Sequence, residues 1–303
     1  MPQIAKKQLK IKHHNLLPIA AIMIAVLFWG FSFVGMRVVL RELSPMTIMW
    51  CRMITALIVI LPFIRKLLPD TYRTGDWKLL IPMVLFQPCL YFLFETNALL
   101  LTTSTQAGVI SAAVPVFVII GARLFFRESM TKATIAGLVL SITGVVFLTA
   151  GQGAGESAPN PVLGNLIEIA ATVFAAGNLL LIKKLSGRYS PWTLIAMQII
   201  AGTIFFTPGF FQLLKTDPSI WSLRLVLILL YLGVFVSLAA FALYYWAISK
   251  LTVSKASTFI NLIPVVVIIT GWIILGESLT AIQLLAAIGV IIGVILSQKA
   301  SQS

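Results

Sequence analysis

Charge is what this chain has least of. Only 10% of its 303 residues are Asp, Glu, Lys or Arg, while 59% are hydrophobic. A soluble domain carries about 25% charged residues, so this composition cannot clothe a core of that size in water. Acidic residues are scarcest, 9 against 22 Lys and Arg, which leaves a net charge of +13. Histidine occurs only as His13 and His14, and cysteine only as Cys51 and Cys89. These few residues exclude a Cys/His metal site and a CxxC redox pair. Also missing are an HExxH pair, a nucleophile elbow and a phosphate-binding glycine loop. Enzyme chemistry, a cofactor and direct use of ATP are therefore not expected.

What fills the chain is a series of apolar runs, about 18–25 residues long and without polar–apolar alternation, the pattern of membrane helices and not of barrel strands. They predict ten spans, at 16–36, 46–64, 79–100, 106–126, 133–150, 162–182, 191–213, 222–247, 256–275 and 281–297. The first follows a basic tail but lacks an A-x-A-like cleavage site, so it reads as a retained helix and not a signal peptide. Ser44 before Pro45 marks one helix start. The stretch GQGAGESAPNP at 151–161 marks the midpoint linker.

The basic residues are scattered over short connections, which argues against a nucleic-acid surface and for orientation signals. With ten spans, the groups at 6–12, 65–78, 123–132, 183–188 and 250–255, together with Lys299, fall on one side. Only Arg37, Arg41, Lys215 and Arg224 fall on the other. Both termini are then expected in the cytoplasm.

The two halves repeat. SPMTIMWCRMITALIVILP (44–62) aligns with SPWTLIAMQIIAGTIFFTP (190–208). AAVPVFVIIGARLFFRESMT (112–131) aligns with NLIPVVVIITGWIILGESLT (261–280), and Gly144 with Gly293. The expected organisation is 1–150 and 151–303, five helices each. Five is odd, so the second half enters the membrane inverted. The fold class expected is an all-α integral membrane protein of ten transmembrane helices in two inverted five-helix repeats. Inverted repeats place a substrate site near the midplane and rock about it.

The ordered series WGFSF (29–33), Ser44-Pro45 with Arg52 seven residues on, NALLLTT (97–103), the span closing on RESMT and the second-half echoes WAI and GESLT resembles the drug/metabolite transporter superfamily of EamA type. The resemblance covers nearly the whole chain. It implies a ten-helix carrier of the cytoplasmic (inner) membrane, of a kind that commonly exports amino acids, other small metabolites or drugs. Two departures stand out: Arg52 becomes Gln198 in the second repeat, and Glu95 pairs with Tyr244.

Ionisable residues inside spans are costly and mark function by default. Arg52, Glu95 and Glu168 each lie about six residues, roughly 9 Å, below the boundary opposite the cytoplasm, so one constellation is expected. Arg52 suits a substrate carboxylate through its planar fork, or a structural pair or interfacial position. Either glutamate suits an ammonium group or a proton, or, for Glu95, a structural hydrogen bond and, for Glu168, the interface. Tyr91 shares a face with Glu95, and Trp29 is the leading aromatic candidate. Asn178, Gln87, Gln198 and Asn261 suit helix-packing hydrogen bonds or ligand contacts. Pro88, Pro115 and Pro264 are expected to interrupt spans. Gly137, Gly144, Gly289 and Gly293 are expected to allow close helix approach. Glu128 and Glu277, just before Thr131 and Thr280, are expected to serve helix ends.

The function expected is a secondary carrier exporting amino acids or similar small amphipathic metabolites by alternating access, with small molecules and the lipid bilayer as partners and protons as a candidate. Efflux of lipophilic cations is the alternative, and a passive channel the distant one.

Overall fold

The computed structural model describes residues 2–67, 72–126, 131–150, 155, 158–251 and 259–300, with side chains between 16 and 296 apart from 66, 122 and 126. Arg127, Glu128, Ser129, most of the 151–157 linker and Lys255 lie outside the described residues. So do the side chains of Lys6, Lys7, Lys10, Lys12, His13, His14, Lys66 and Lys299.

Among the described residues the chain is helical, with no strand beyond one isolated bridge between Gly155 and Ala158. Helix α1 covers Pro2–Val39, α2 Pro45–Ile60, α3 Trp77–Leu101, α4 Ser104–Phe125 and α5 Lys132–Ala150. In the second half α6 covers Pro161–Leu185, α7 Pro191–Phe205, α8 Leu223–Lys250, α9 Ile263–Leu275 and α10 Ala281–Ala300. Seven of these, α1 to α6 and α8, are long and apolar enough to cross a membrane, whereas α7, α9 and α10 are shorter apolar helices. The predicted span 191–213 is divided, because its helix stops at Phe205 and a short helix, Pro208–Leu213, restarts beyond it.

Local chemistry sets the ends. In hydrocarbon every backbone polar group needs a partner within the protein, so caps matter. Ser44 and Ser190 each accept from the amide three residues on, and each precedes a proline at the first helical position. There the missing N–H costs nothing. Thr103, Thr131 and Ser222 cap α4, α5 and α8 in the same way. At α10, Thr280 and Gln283 exchange reciprocal bonds of 3.3 and 2.9 Å, a capping box with Gln in the acidic place. Helix α9 ends on Gly276 at φ +67°, a left-handed conformation that glycine adopts without a Cβ clash.

The prolines act as breaks. Gln87, before Pro88, is extended (φ −144°, ψ 128°) and interrupts α3. Pro115 and Pro264 each sit one residue after a helix restart, at Val114 and Ile263, so the interruption precedes the proline instead of kinking an intact helix. Wide, π-type turns occupy 231–240 in α8 and 271–275 in α9. Such turns recur at functional sites because they redirect side chains.

Helices α5 and α10 form the most extensively packed pair. Gly144 lies against the Ala286 carbonyl and Val290 amide, and Gly293 against the Gly137 carbonyl and Ser141 amide. The register falls on α10 as it rises on α5, so the pair is antiparallel. The two contact sets also exchange under the repeat spacing, 137 with 286, 141 with 290 and 144 with 293. Gly289 faces open space.

Candidate functional site

Helices α1 to α4, α6, α8 and α9, with Ile260 just before α9, line one central cavity. About 640 Å³ of space lies within its lining, including the part open to solvent.

Arg52, Glu95, Tyr91 and Trp29 all line it. Arg52 is 1% exposed. Its Nε donates to Ser237 Oγ at 3.1 Å, and one terminal nitrogen lies 3.5 Å from Met36 Sδ and 3.7 Å from Met49 Sδ. The guanidinium carbon sits 4.5 Å from the centre of the Phe92 ring, a cation–π contact. Sulfur is a weak acceptor, so among the described residues this five-donor group has a single good oxygen partner. Ser237 is presented by the wide turn of α8, where its hydroxyl also donates to the Leu232 carbonyl at 2.9 Å. Gly233 lets that turn approach α2, since a Cβ there would meet Thr55 and the Arg52 carbonyl.

Glu95 is 6% exposed and accepts the Tyr91 hydroxyl one turn below it. Arg52 and Glu95 are within electrostatic reach of each other, yet no ion pair joins them. The carboxylate is thus held by a phenol and not by the guanidinium, and both charged side chains line the cavity.

Glu168 is fully buried, but it is not among the lining residues. It lies in the field of Glu95 and Tyr91, and neither carboxyl oxygen has a hydrogen-bond partner among the described residues. One turn away Asn165 joins a polar junction, accepting from Thr102 at 2.7 Å and donating to Gln106 at 2.6 Å and to Thr149 at 3.2 Å. Asn178 is also outside the lining. It donates to the Met83 carbonyl at 2.8 Å and accepts from the Tyr245 hydroxyl at 3.2 Å. That carbonyl lies one turn before the Gln87 break, and Asn178 satisfies it across the α3–α6 contact. Tyr245 also donates to Gln198.

Sequence reasoning did not single out Ser32, Ser111, Phe92 or Phe241, left Gln87 between packing and ligand contact, and noted Tyr244 as the repeat mate of Glu95; all six line the cavity. Ser32 had a signal, being three residues from Trp29 on one helical face. The others carry a clearer one. The lining contains Gln87 and Val236, Phe92 and Phe241, Glu95 and Tyr244, Ser111 and Ile260, and Val114 and Ile263. Each pair is separated by 149 positions, the spacing of Pro115 and Pro264. Much of the cavity wall thus comes from equivalent positions of the two family repeats. It is chemically lopsided, with Gln87, Glu95 and Ser111 from the first half against Val236, Tyr244 and Ile260 from the second. In its wall Trp29 Nε1 and the Tyr244 hydroxyl have no hydrogen-bond partner among the described residues, and the two ring centres are 5.2 Å apart.

Two polar ties flank the site. Glu277, between α9 and α10, accepts from the Ser104 amide and hydroxyl at 3.0 and 2.8 Å and from those of Thr105 at 2.9 and 2.7 Å. The carboxylate therefore serves a helix N-terminus, as expected, but that of α4 across the molecule and not its neighbour α10. Asp76, before α3, accepts the Tyr189 hydroxyl at 2.7 Å, the Arg73 amide at 3.2 Å and Arg188.

A multi-pass helical membrane protein with a cavity lined by buried charged side chains is the class that this fold and site define. The EamA-like transporter family matches the chain twice, over residues 16–150 and 162–298. Relatives include the uncharacterized transporter YcxC of Bacillus subtilis, 27% identical over 91% of each chain. An uncharacterized transporter of Archaeoglobus fulgidus is 28% identical over 85% of this chain and 90% of its own. A WAT1-related chloroplastic protein of Arabidopsis thaliana is 24% identical over 86% of this chain and 64% of its own. A solved crystal structure shares the fold, with a TM-score of 0.62 at 15% identity over 96% of this chain and 98% of that one. The chain belongs to the EamA-like transporter family, and it is a membrane transporter, not an enzyme.

Proposed function

We propose that this transporter is a secondary carrier that exports amino acids or similar small amphipathic metabolites across the cytoplasmic membrane. The observation that carries the reading is the cavity's pairing of buried Arg52 with buried Glu95, both lining it and not bonded to each other. A buried charge without a partner is expensive, and a zwitterion bridging the two satisfies both. Arg52 takes the carboxylate through its fork, and Glu95, steadied by Tyr91, takes the ammonium. The lopsided lining fits the rest of the substrate: charges and amides of the first half face its head, and Val236, Ile260 and the aromatic rings of the second half face its apolar part. Protons are a candidate partner through the Glu95–Glu168 pair.

The arrangement we infer is ten spans in two inverted repeats, 1–150 and 151–303, with both termini cytoplasmic. The antiparallel, exchange-symmetric α5–α10 contact and the paired cavity positions support it, as does the loop charge. Repeats so related move against each other around a fixed site.

The aromatic wall beside Glu95 favours one alternative, efflux of lipophilic cations. Uptake by purified protein in liposomes, with labelled amino acids and cationic dyes and with or without a pH gradient, separates the two. Arg52→Gln is expected to cut amino-acid transport at least tenfold and to spare dye transport, and Glu95→Gln is expected to impair both. Normal amino-acid transport by both variants would sink the zwitterion reading.

A further inference from the structure

A second pocket lies away from the central cavity, on the outer flank of the bundle. Its walls are two helical stripes: Leu27, Phe31, Val34 and Val38 on α1, and Arg224, Leu227, Ile228 and Tyr231 on α8. The spacings of three, four and seven place each stripe on one helix face. Ile274, at the end of α9, adds a third side. The groove runs along the seam between the two family repeats, since α1 belongs to the first and α8 and α9 to the second.

Its two ends differ. The deep end is closed by Phe28, Tyr231 and Phe235, with the Tyr231 hydroxyl donating to the Phe28 carbonyl at 2.8 Å. The other end carries the only charge of the lining, the exposed Arg224, whose guanidinium has no partner among the described residues. Arg224 follows exposed Trp221 and the polar connection 215–222. A tryptophan beside a cation is the signature of the membrane–water interface. From Leu27 to Val38 the groove is about 16 Å long at ~1.5 Å per residue. One leaflet's hydrocarbon is about 15 Å deep, half of a core of roughly 30 Å. The groove therefore spans one leaflet, with its cation at headgroup level.

We propose that this groove is a binding site for an anionic phospholipid, one acyl chain lying between α1 and α8 and the headgroup phosphate held by Arg224. The occupant follows from charge complementarity and length. A soluble metabolite would leave the apolar stripes uncovered, a lipid without a phosphate would leave Arg224 unpaired, and a zwitterionic headgroup would bring its own cation beside the guanidinium. The site is independent of the central cavity, so it stands whatever the transported substrate proves to be.

Native mass spectrometry of the delipidated full-length protein tests it, with equimolar phosphatidylglycerol, phosphatidylcholine and diacylglycerol of matched chains. The wild type is expected to retain phosphatidylglycerol about fivefold over phosphatidylcholine, the scale of one basic residue at an anionic surface, and diacylglycerol least. Arg224→Ala is expected to erase the preference and Arg224→Lys to keep it. Gly35, whose added Cβ would meet Ile228 and Leu232 only at 3.5 and 3.7 Å, accepts a side chain without a backbone clash. Gly35→Phe is expected to fill the groove and lower retention of all three lipids. Equal retention of the two phospholipids by the wild type, or an unchanged preference in Arg224→Ala, would overturn the proposal. Dimers that Gly35→Phe dissociates would also overturn it, by assigning the face to a second copy.

Discussion

A guanidinium taken out of water must replace about five hydrogen bonds. Arg52 replaces one with an oxygen, two with sulfurs, and leans on a ring. That deficit is what a substrate carboxylate would fill under the proposed function, since Arg–carboxylate pairs are frequently bidentate. Asp76 is the opposite case. The Tyr189 hydroxyl above all, then the Arg73 amide and the Arg188 guanidinium, hold its carboxyl below the usual carboxylate range. Burial and the same bond push the Tyr189 phenol up to about 12. A depressed carboxyl pKa stabilises the fold above the unfolded value, about 3.9 for Asp, and that stabilisation is lost as pH falls through the folded value. Asp76→Asn is therefore expected to lower the thermal unfolding midpoint of the solubilised protein near pH 7, and the difference is expected to shrink below about pH 4. A gap that stays constant down to pH 3 would show that Asp76 acts by some route other than its charge.

Helices in lipid gain little from the hydrophobic effect on meeting one another, so close backbone approach and hydrogen bonds hold them. Gly293 is such a contact: an added Cβ would fall 2.5 Å from the Ser141 amide nitrogen and 2.6 Å from the Gly137 carbonyl. Backbone cannot step aside as a side chain can, so Gly293→Ala is expected to destabilise by about 1–3 kcal/mol, the usual cost of overpacking. Gly289→Ala, one turn away in the same GxxxG spacing but facing open space, is expected to be neutral. Thermal unfolding in detergent compares them, and equal effects would contradict the α5–α10 register. The Glu277 tie works at this scale too. Four donors from the start of α4 converge on one carboxylate, where the positive helix end favours negative charge.

The arrangement of the whole chain decides whether the cavity can serve two sides. Ten spans place Lys184 on the cytoplasmic face and Lys215 on the opposite one, with α7 and the short helix at 208–213 between them. Single cysteines at these positions, in a chain with Cys51→Ser and Cys89→Ser, are expected to react with an impermeant maleimide from opposite sides of the membrane. Labelling of both from the same side would refute an inverted pair of repeats. The described ties suit such a device. Asp76 joins the connection before α3 to the one before α7, and Glu277 joins the α9–α10 turn to α4, so each links the first family repeat to the second.

Composition and run length alone determined that the chain is a helical membrane protein, because nothing with 10% charge and 59% apolar residues survives as a water-faced globule. Capping was legible as well, at Ser44, Thr131 and Thr280, since it depends on residues three apart. So were Arg52, Glu95, Tyr91 and Trp29 as candidates that the structure brings to one cavity, because a charge or amphipathic ring in a span announces itself by its cost. Only the tertiary structure decided the rest. Glu168 and Arg52 share a depth in sequence, yet depth says nothing of azimuth, and packing turned Glu168 away from the lining. Asn178 went to a carbonyl near a helix break that no sequence spacing reveals. Phe92, Tyr244 and Ile260 became cavity wall through the apposition of two halves, because an apolar residue facing a cavity and one facing lipid look alike until the helices are assembled.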